Sequence, residues 1–146
     1  MAAEWLTVAQ GVTKIAEKIF GGLSKYKKLK SGEREKIADL LEVIAKDVLS
    51  VAKQMNKKEI PTYTCQSILT YSMQLPPLVE RVYDPEVAKL LGVELAGVYD
   101  SRRLAKMILD KGNFDMAAKK ELKALTSTIE AAAGTIKASA NILRAL

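Results

Sequence analysis

Apolar residues recur every three or four positions through almost the whole chain, and this spacing permits little other than packed helices. The cleanest segment spans residues 33–56, where the recurring residues are Ile37, Leu40, Leu41, Ile44, Val48, Val51, Ala52 and Met55. In an α-helix these side chains share one face, which has to be buried against other helices. The alternation of apolar and polar residues that is typical of a half-buried strand is missing from the sequence. The pattern therefore predicts an all-α fold.

The same spacing predicts four more helices, over residues 3–29, 62–83, 85–110 and 115–145. The connections between them are short, and short connections favour antiparallel neighbours. A chain of 146 residues is the right size for one domain. We therefore expect residues 1–146 to form a single antiparallel up-and-down bundle of four or five helices, that is, a four-helix bundle with a possible fifth segment from a break at Pro76-Pro77.

Glycine, proline and serine mark the expected helix boundaries. The Gly21-Gly22 pair is expected to bend or end the first helix. Ser31 is a candidate N-cap for the second helix. Pro76-Pro77 is expected to kink or break the third helix, because each proline lacks a backbone donor. Asp84-Pro85 is typical of a helix start, with Asp as N-cap and Pro at the first helical position.

Residues 60–79 contain no charged residue, although 27% of the chain is charged. Because no side of this helix is marked for solvent, we expect it to be the helix most enclosed by its neighbours, with its hydroxyls and amides satisfied internally. The alternative interpretation is a pocket for an uncharged ligand. The residues of this candidate polar seam or pocket are Tyr63, Cys65, Gln66, Tyr71 and Gln74.

Positive charge is concentrated at the start of the chain. Residues 1–30 contain six lysines and two glutamates, and so account for +4 of the net charge of +6. Trp and Phe next to lysines on an amphipathic helix are typical of a helix that binds a membrane surface. The alternatives are a core-facing helix with a solvated basic end, or nucleic-acid binding, which is disfavoured because no recognised fold or stacking platform accompanies the lysines. The candidate partner- or membrane-binding residues are Trp5, Lys14, Lys18, Phe20, Lys25, Lys27, Lys28 and Lys30.

The residue types needed for common catalytic and metal sites are scarce. The chain has no histidine, and Cys65 is its single cysteine. A zinc site or a Cys-His nucleophile therefore cannot be assembled from this sequence. No glycine-rich phosphate loop is present either. We predict no catalytic residues, no metal, no cofactor and no enzymatic activity. Without an evident signal peptide or transmembrane stretch, we expect a cytoplasmic protein, with peripheral membrane association as the alternative.

The segment IPTYTCQSILTYSMQLPPLVERVYDPEVAKLL and the tail TIKASANILRAL resemble small bacterial helical-bundle proteins, chiefly cyanobacterial, of uncharacterised function. The matching features are Ile60-Pro61, Cys65, Tyr71, the Leu75-Pro76 step and the Ala-Ser-Ala ending. The resemblance covers roughly the second half of the chain and implies a four-helix bundle without catalytic residues. In architecture alone, the chain is also similar to the N-terminal bundles of cell-death executioners, such as the mixed-lineage-kinase-like and fungal HeLo domains.

Three functional hypotheses follow. The first is a non-enzymatic interaction module with a protein partner, including a second copy of itself. The second is a membrane-targeting or membrane-permeabilising bundle of the cell-death or defence type, which acts through its basic amphipathic first helix on an anionic membrane. The third is a carrier of a small apolar ligand, which uses the polar seam around Tyr71.

Overall fold

The computed structural model describes residues 2–57, 59–99, 101–102 and 116–146, together with their side chains except those of residues 2–5, 116–119 and 121. These residues form five α-helices whose bounds are given below and one 3₁₀ helix, with residues 101–102 also helical and no strand among them, which confirms the all-α class. The elements are α1 (Ala2–Gly21), the 3₁₀ helix (Leu23–Lys28), α2 (Ser31–Asn56), α3 (Thr62–Val79), α4 (Pro85–Tyr99) and α5 (Met116–Ala145).

The helices pack in an order that differs from their order in the sequence. Among the described residues, α1 packs against α4 and α5, α2 packs against α5 and α3, and α3 packs against α4. The five helices therefore form a closed ring in the order α1, α5, α2, α3, α4. The short connections predict that consecutive helices are neighbours, but α5 lies between α1 and α2.

Contacts between helix ends fix the directions around α2. Both α5 and α3 contact the start of α2 with residues at or just after their own ends. Both contact the end of α2 with residues from their earlier parts. The helices α3 and α5 therefore run antiparallel to α2. The pairs are Asp39 with Arg144 and Asn56 with Thr126 for α5, and Glu33 with Arg81 and Gln54 with Thr64 for α3.

The other two directions follow from contacts of α4. The Cys65 sulfur, near the start of α3, lies 3.8 Å from the carbonyl oxygen of Val98, near the end of α4. Tyr83, just before α4, donates a hydrogen bond to the carbonyl of Lys18, near the end of α1, at 3.0 Å. Consecutive helices therefore alternate in direction, as predicted. Since a ring of five cannot alternate throughout, one neighbouring pair, α1 and α5, runs parallel.

The core is mainly aliphatic, as the low aromatic content predicts. Its largest fully buried side chains come from all five α-helices and from the 3₁₀ helix; they are Tyr26, Ile15, Ile19, Ile37, Leu41, Ile44, Ile68, Leu75, Leu91, Leu95 and Ile129. Burying apolar area of this kind is the main favourable contribution to the free energy of folding. The predicted apolar stripe of residues 33–56 is the buried face of α2.

One boundary prediction is wrong, and the structure narrows another, the expected kink or break at Pro76-Pro77. Ser31 is the first residue of α2 and Lys30 is its N-cap, without a side-chain capping hydrogen bond. Pro76 and Pro77 lie inside α3, which continues to Val79 instead of breaking. The two prolines leave the carbonyls of Ser72 and Met73 without their usual helical donors.

Other boundaries agree with the sequence. The helix α1 ends at Gly21, where the 3₁₀ helix follows, and α4 starts at Pro85. The predicted boundary between the fourth and last helices, at residues 110–115, lies outside the described residues.

Candidate interaction surfaces

The helix α3 is not the enclosed helix that its lack of charge predicts. Its buried residues form a single stripe, which consists of Cys65, Ile68, Ser72, Leu75 and Val79. The opposite side faces solvent, where the Tyr63 side chain is 85% exposed and Met73 is 66% exposed. Only the flanks that contact α2 and α4 are covered, so α3 is a peripheral helix with an uncharged outer face.

The five residues of the predicted polar seam are not brought together. Tyr63, Gln66 and Gln74 are exposed, whereas Cys65 is fully buried and Tyr71 is half-buried. Burial, and then the nearby carboxylate of Asp47 on α2, raise the pKa of Tyr71. The seam prediction is therefore wrong for the three exposed residues, because they lie on the solvent side of α3.

Cys65 is a packed core residue. Its sulfur lies 3.2 Å from the Ser101 hydroxyl oxygen. Burial raises the pKa of the thiol, and the hydrogen bond with Ser101 only partly offsets this effect. A protonated, inaccessible thiol is a poor nucleophile, so Cys65 offers no reactive site.

A surface that is uncharged except at one groove, and which we call the α3–α4 face, covers one side of the bundle. It consists of outward residues from both helices, namely Tyr63, Gln66, Thr70, Met73, Gln74 and Pro77 from α3 and Leu90 and Val93 from α4. Val93 is 58% exposed and Leu90 is 39% exposed. Neighbouring apolar side chains left in water in this way are typical of a docking surface. Sequence analysis missed Leu90 and Val93, although both fall outside the buried stripe of α4 and could have been found from that.

An open groove of about 400 Å³ runs between α3 and α4 within this face. Its lining is mostly apolar and includes Pro76, Pro77 and Val93. Two oppositely charged residues also line it, Glu80 from the end of α3 and Lys89 from α4. They form no ion pair with each other, so each is free to meet a charge from outside.

The floor of the groove depends on Gly92. A Cβ atom at this position would lie 2.7 Å from Cγ of Pro76 and 2.9 Å from the carbonyl oxygen of Ser72. The carbonyl of Ser72 lacks its usual helical donor because the residue four positions later is Pro76. Only glycine allows α4 to approach α3 this closely. Gly97 on the same helix plays no such part, because none of the described residues has an atom within 4 Å of the point that a Cβ there would occupy.

A second surface, the basic corner, is formed by Phe20 and the exposed Lys25, Lys27, Lys28 and Lys30. The 3₁₀ helix has three residues per turn. Residues at positions 23, 26 and 29 therefore share its inner side, where Leu23 is half-buried and Tyr26 and Leu29 are buried. The lysines occupy the other two sides and point to solvent.

Two tyrosines fix the basic corner to the bundle. The hydroxyl of Tyr26 donates to that of Tyr83 at 3.0 Å, and Tyr83 donates to the carbonyl of Lys18. Their rings pack edge to face, with centroids 5.9 Å apart. Burial raises the pKa of both phenols, so both remain protonated donors. Gly22 lies against Tyr83, because a Cβ there would be 2.7 Å from the phenol oxygen.

The remaining residues predicted for the first helix are less concentrated. Lys14 is exposed, and its Nζ lies 3.8 Å from a carboxylate oxygen of Glu94 on α4. Lys18 is exposed on the last turn of α1, and Phe20 is 51% exposed. The side chain of Trp5 lies outside those that the structure describes. The structure therefore places Phe20 and the last four lysines together, with Lys18 on the adjoining turn.

Release of α1 from the bundle would be costly. Val12, Ile15 and Ile19 of this helix are at most 1% exposed. Exposing three such side chains costs roughly 5–9 kcal/mol, which is comparable with the whole stability of a typical domain, about 5–15 kcal/mol. A surface that acts with α1 in place therefore fits the structure better than one that requires its release.

The acidic residues of α2 are used within the fold. The guanidinium of Arg144 contacts carboxylate oxygens of Glu35, Asp39 and Glu42 at 2.7–3.4 Å. Hydrogen bonds to Asp39 and Glu42 raise the pKa of Arg144 above its usual range. Among the residues that the structure describes, no cluster of three or more acidic or cysteine ligands could hold a metal ion. Across the same residues, no helix has the length and apolar character needed to cross a membrane.

No family model, curated protein or solved structure matches this chain. The resemblance of its second half to bacterial helical bundles stays a prediction.

Proposed function

We propose that the protein is a non-enzymatic helical-bundle interaction module that associates with a second copy of itself through the α3–α4 face. The observation that carries this proposal is the uncharged outer side of α3 beside the apolar groove. Charged residues cover the outer face of a typical surface helix. The helix α3 exposes Met73 and Tyr63 to water and contains no charged residue of its own, and a partner that covers this side explains that pattern better.

The charges at the groove favour a second copy as this partner. Glu80 and Lys89 line the groove from opposite helices and are both exposed. If the two-fold axis of the dimer passes between these two residues, Glu80 of each copy lies opposite Lys89 of the other, because contacts in a two-fold interface occur in symmetric pairs. The remaining face is uncharged, so two copies meet there without repulsion despite a net charge of +6.

The size of the face sets the expected affinity. A helix of 18 residues, the length of α3, is about 27 Å long, and two adjacent helices span about 20 Å. The face therefore covers roughly 500 Å², below the ~800 Å² per partner of standard stable complexes. We expect a weak, concentration-dependent dimer, which dissociates in the micromolar range.

Sedimentation velocity across a micromolar to near-millimolar concentration series tests the proposal. Met73→Lys with Val93→Lys should leave the protein monomeric, because two charges enter the apolar part of the face. The matched control is Val43→Lys with Ile142→Lys, which adds the same charge at exposed apolar positions on α2 and α5. The control should dimerise like the wild type. A monomeric wild type at every concentration, or equal behaviour of the two double variants, would contradict the proposal.

A charge exchange tests the two-fold arrangement itself. Glu80→Lys or Lys89→Glu alone should weaken the dimer severalfold, in line with the modest value of exposed ion pairs. The double exchange, Glu80→Lys with Lys89→Glu, should restore the wild-type dissociation constant. A double variant as weak as the single variants would rule out pairing of these two residues across the axis, even if the dimer itself forms.

A further inference from the structure

The basic corner carries a positive charge that the rest of the fold does not neutralise. Of the acidic residues nearest along the chain, Glu33 pairs with Arg81 at 3.1 Å and Glu35 with Arg144 at 3.4 Å, whereas Glu17 is exposed on α1 and offsets only one of the four lysines. Within the described residues, Lys25, Lys27, Lys28 and Lys30 form no ion pair. Lys25 instead lies 5.8 Å from the centroid of the Tyr83 ring.

The corner is also held in one conformation. Buried Tyr26 and Leu29 fix the backbone on either side of Lys27 and Lys28, and Tyr83 ties Tyr26 to the end of α1. A rigid cluster of charges loses less side-chain and backbone freedom when it binds than a disordered basic segment does. The lysines are therefore presented together on the surface of the folded bundle.

Phe20 distinguishes a lipid surface from other anionic partners. It lies on the last turn of α1, directly before the basic segment, and half of its side chain is in water. An exposed aromatic residue beside lysines suits the boundary between headgroups and acyl chains, where the ring enters and the ammonium groups stay with the phosphates. Binding of single-stranded nucleic acid uses several aromatic platforms in a groove, and Phe20 alone does not form one.

We propose that the basic corner docks the intact bundle on the surface of an anionic membrane, with Phe20 inserted among the headgroups and α1 still packed in the core. This inference concerns a surface other than the α3–α4 face and does not depend on self-association. Each lysine near an anionic surface strengthens binding by roughly fivefold. The four lysines together with Phe20 therefore give reversible, salt-sensitive binding rather than permanent anchoring.

Cosedimentation with phosphatidylcholine vesicles, with and without phosphatidylglycerol, tests the inference on the full chain. Lys25→Glu with Lys27→Glu and Lys28→Glu should lower the partition coefficient by at least ~100-fold. The matched control is Lys120→Glu with Lys123→Glu and Lys137→Glu, exposed lysines of α5 that give the same net charge. We expect the control to lose less than ~5-fold. Equal losses for the two triple variants, or equal binding to neutral vesicles, would overturn the proposal.

Two further measurements address the mode of binding. Phe20→Ser should weaken binding about fivefold at physiological salt, whereas an unchanged partition coefficient would remove the inserted ring from the proposal. Hydrogen exchange of the vesicle-bound protein should leave the amides of α1 as protected as in solution. Loss of that protection would contradict docking of an intact bundle.

A competition experiment separates lipid from nucleic acid. Single-stranded poly(U) RNA, added at the same phosphate concentration as the anionic lipid, should displace little of the bound wild-type protein. Complete displacement would favour nucleic acid as the partner and overturn the proposal.

A second variant covers the case in which the Lys→Glu variant fails to fold. It carries Lys25→Gln with Lys27→Gln and Lys28→Gln, and its fold is checked by circular dichroism. It should bind more weakly than the wild type.

Discussion

The helices α2 and α3 bury similar stripes of apolar residues but present different outer faces to water. The outer face of α2 carries Glu35, Asp39 and Glu42, which meet Arg144 of α5. The outer face of α3 carries no charge at all. The difference shows that an uncharged helix need not be an enclosed one. Charged residues on a helix face indicate that this face is in contact with water. A face without charged residues is compatible either with burial inside the fold or with a docking surface.

The largest expected difference between the inner and outer sides of α3 is in the reactivity of a cysteine thiol placed on each side. Native Cys65 should react with Ellman's reagent at least ~100-fold more slowly than Met73→Cys in a Cys65→Ser background, because Cys65 becomes accessible only through an opening of the structure. The raised pKa of the Cys65 thiol adds to this difference. In denaturant, the two rates should converge. Equally fast labelling of both thiols in the native protein would refute the assignment of inner and outer faces.

The inner faces of α2 and α3 should be equally important for stability. Leu41→Ala in α2 and Leu75→Ala in α3 remove fully buried side chains, and each should lower the free energy of unfolding by about 2–5 kcal/mol. Val43→Ala and Met73→Ala on the outer faces should change it by less than about 0.5 kcal/mol. Urea unfolding measures all four. If Leu75→Ala were as mild as Met73→Ala, the packing of α3 described above would be incorrect.

The contact between α3 and α4 should depend on one glycine. Gly92→Ala should destabilise the protein by about 1–3 kcal/mol, because the new methyl group meets the Ser72 carbonyl and Pro76. Gly97→Ala, five residues further along the same helix, should stabilise it by about 0.5–1 kcal/mol, because alanine favours the helix and nothing lies within 4 Å. Thermal unfolding distinguishes them by sign. A neutral Gly92→Ala variant would mean that the helices separate easily.

The smallest effect on stability should come from removing the ion pairs between the outer face of α2 and Arg144. The salt dependence of this effect should distinguish these ion pairs from the apolar α3–α4 face. Arg144→Ala should lower the melting temperature at low salt, and this loss should shrink at high salt as the carboxylates are screened. Self-association through the α3–α4 face should persist or strengthen in the same series, because apolar burial is not screened. If high salt weakened self-association but left the effect of Arg144→Ala unchanged, the assignment of α2 as the ionic face and α3–α4 as the apolar face would be wrong.

Much of the fold can be predicted from the sequence because its helices are amphipathic and well delimited. The stripe of α2 is unambiguous, since charged residues mark its solvent side. The spacing in α3 permits two stripes, one through Thr64, Tyr71 and Leu78 and one through Cys65, Ser72 and Val79. Without charges to exclude either, the sequence does not select between them, and the structure buries the second. The orientation of α3 is a tertiary property, set by contacts with α2 and α4.

The basic corner could be predicted in location but not in geometry. The excess of lysines in residues 1–30 is evident in the sequence. The three-residue period of Leu23, Tyr26 and Leu29 is equally visible, but it resembles an α-helical spacing over so short a segment. The partner of Tyr26 is Tyr83, more than fifty residues away. No local pattern identifies that pair, and the position of α5 between α1 and α2 is also beyond local patterns.

The position of α5 in the ring has a consequence for how the chain reaches its native state. The facing sides of α1 and α2, although they are among the first residues synthesised, have no cover until α5 has left the ribosome. Folding must close contacts such as that between Asp39 and Arg144 across most of the sequence. Long-range contacts of this kind slow folding relative to helical bundles whose neighbours are consecutive. During that delay the apolar stripe of α2 is exposed to aggregation or to chaperones.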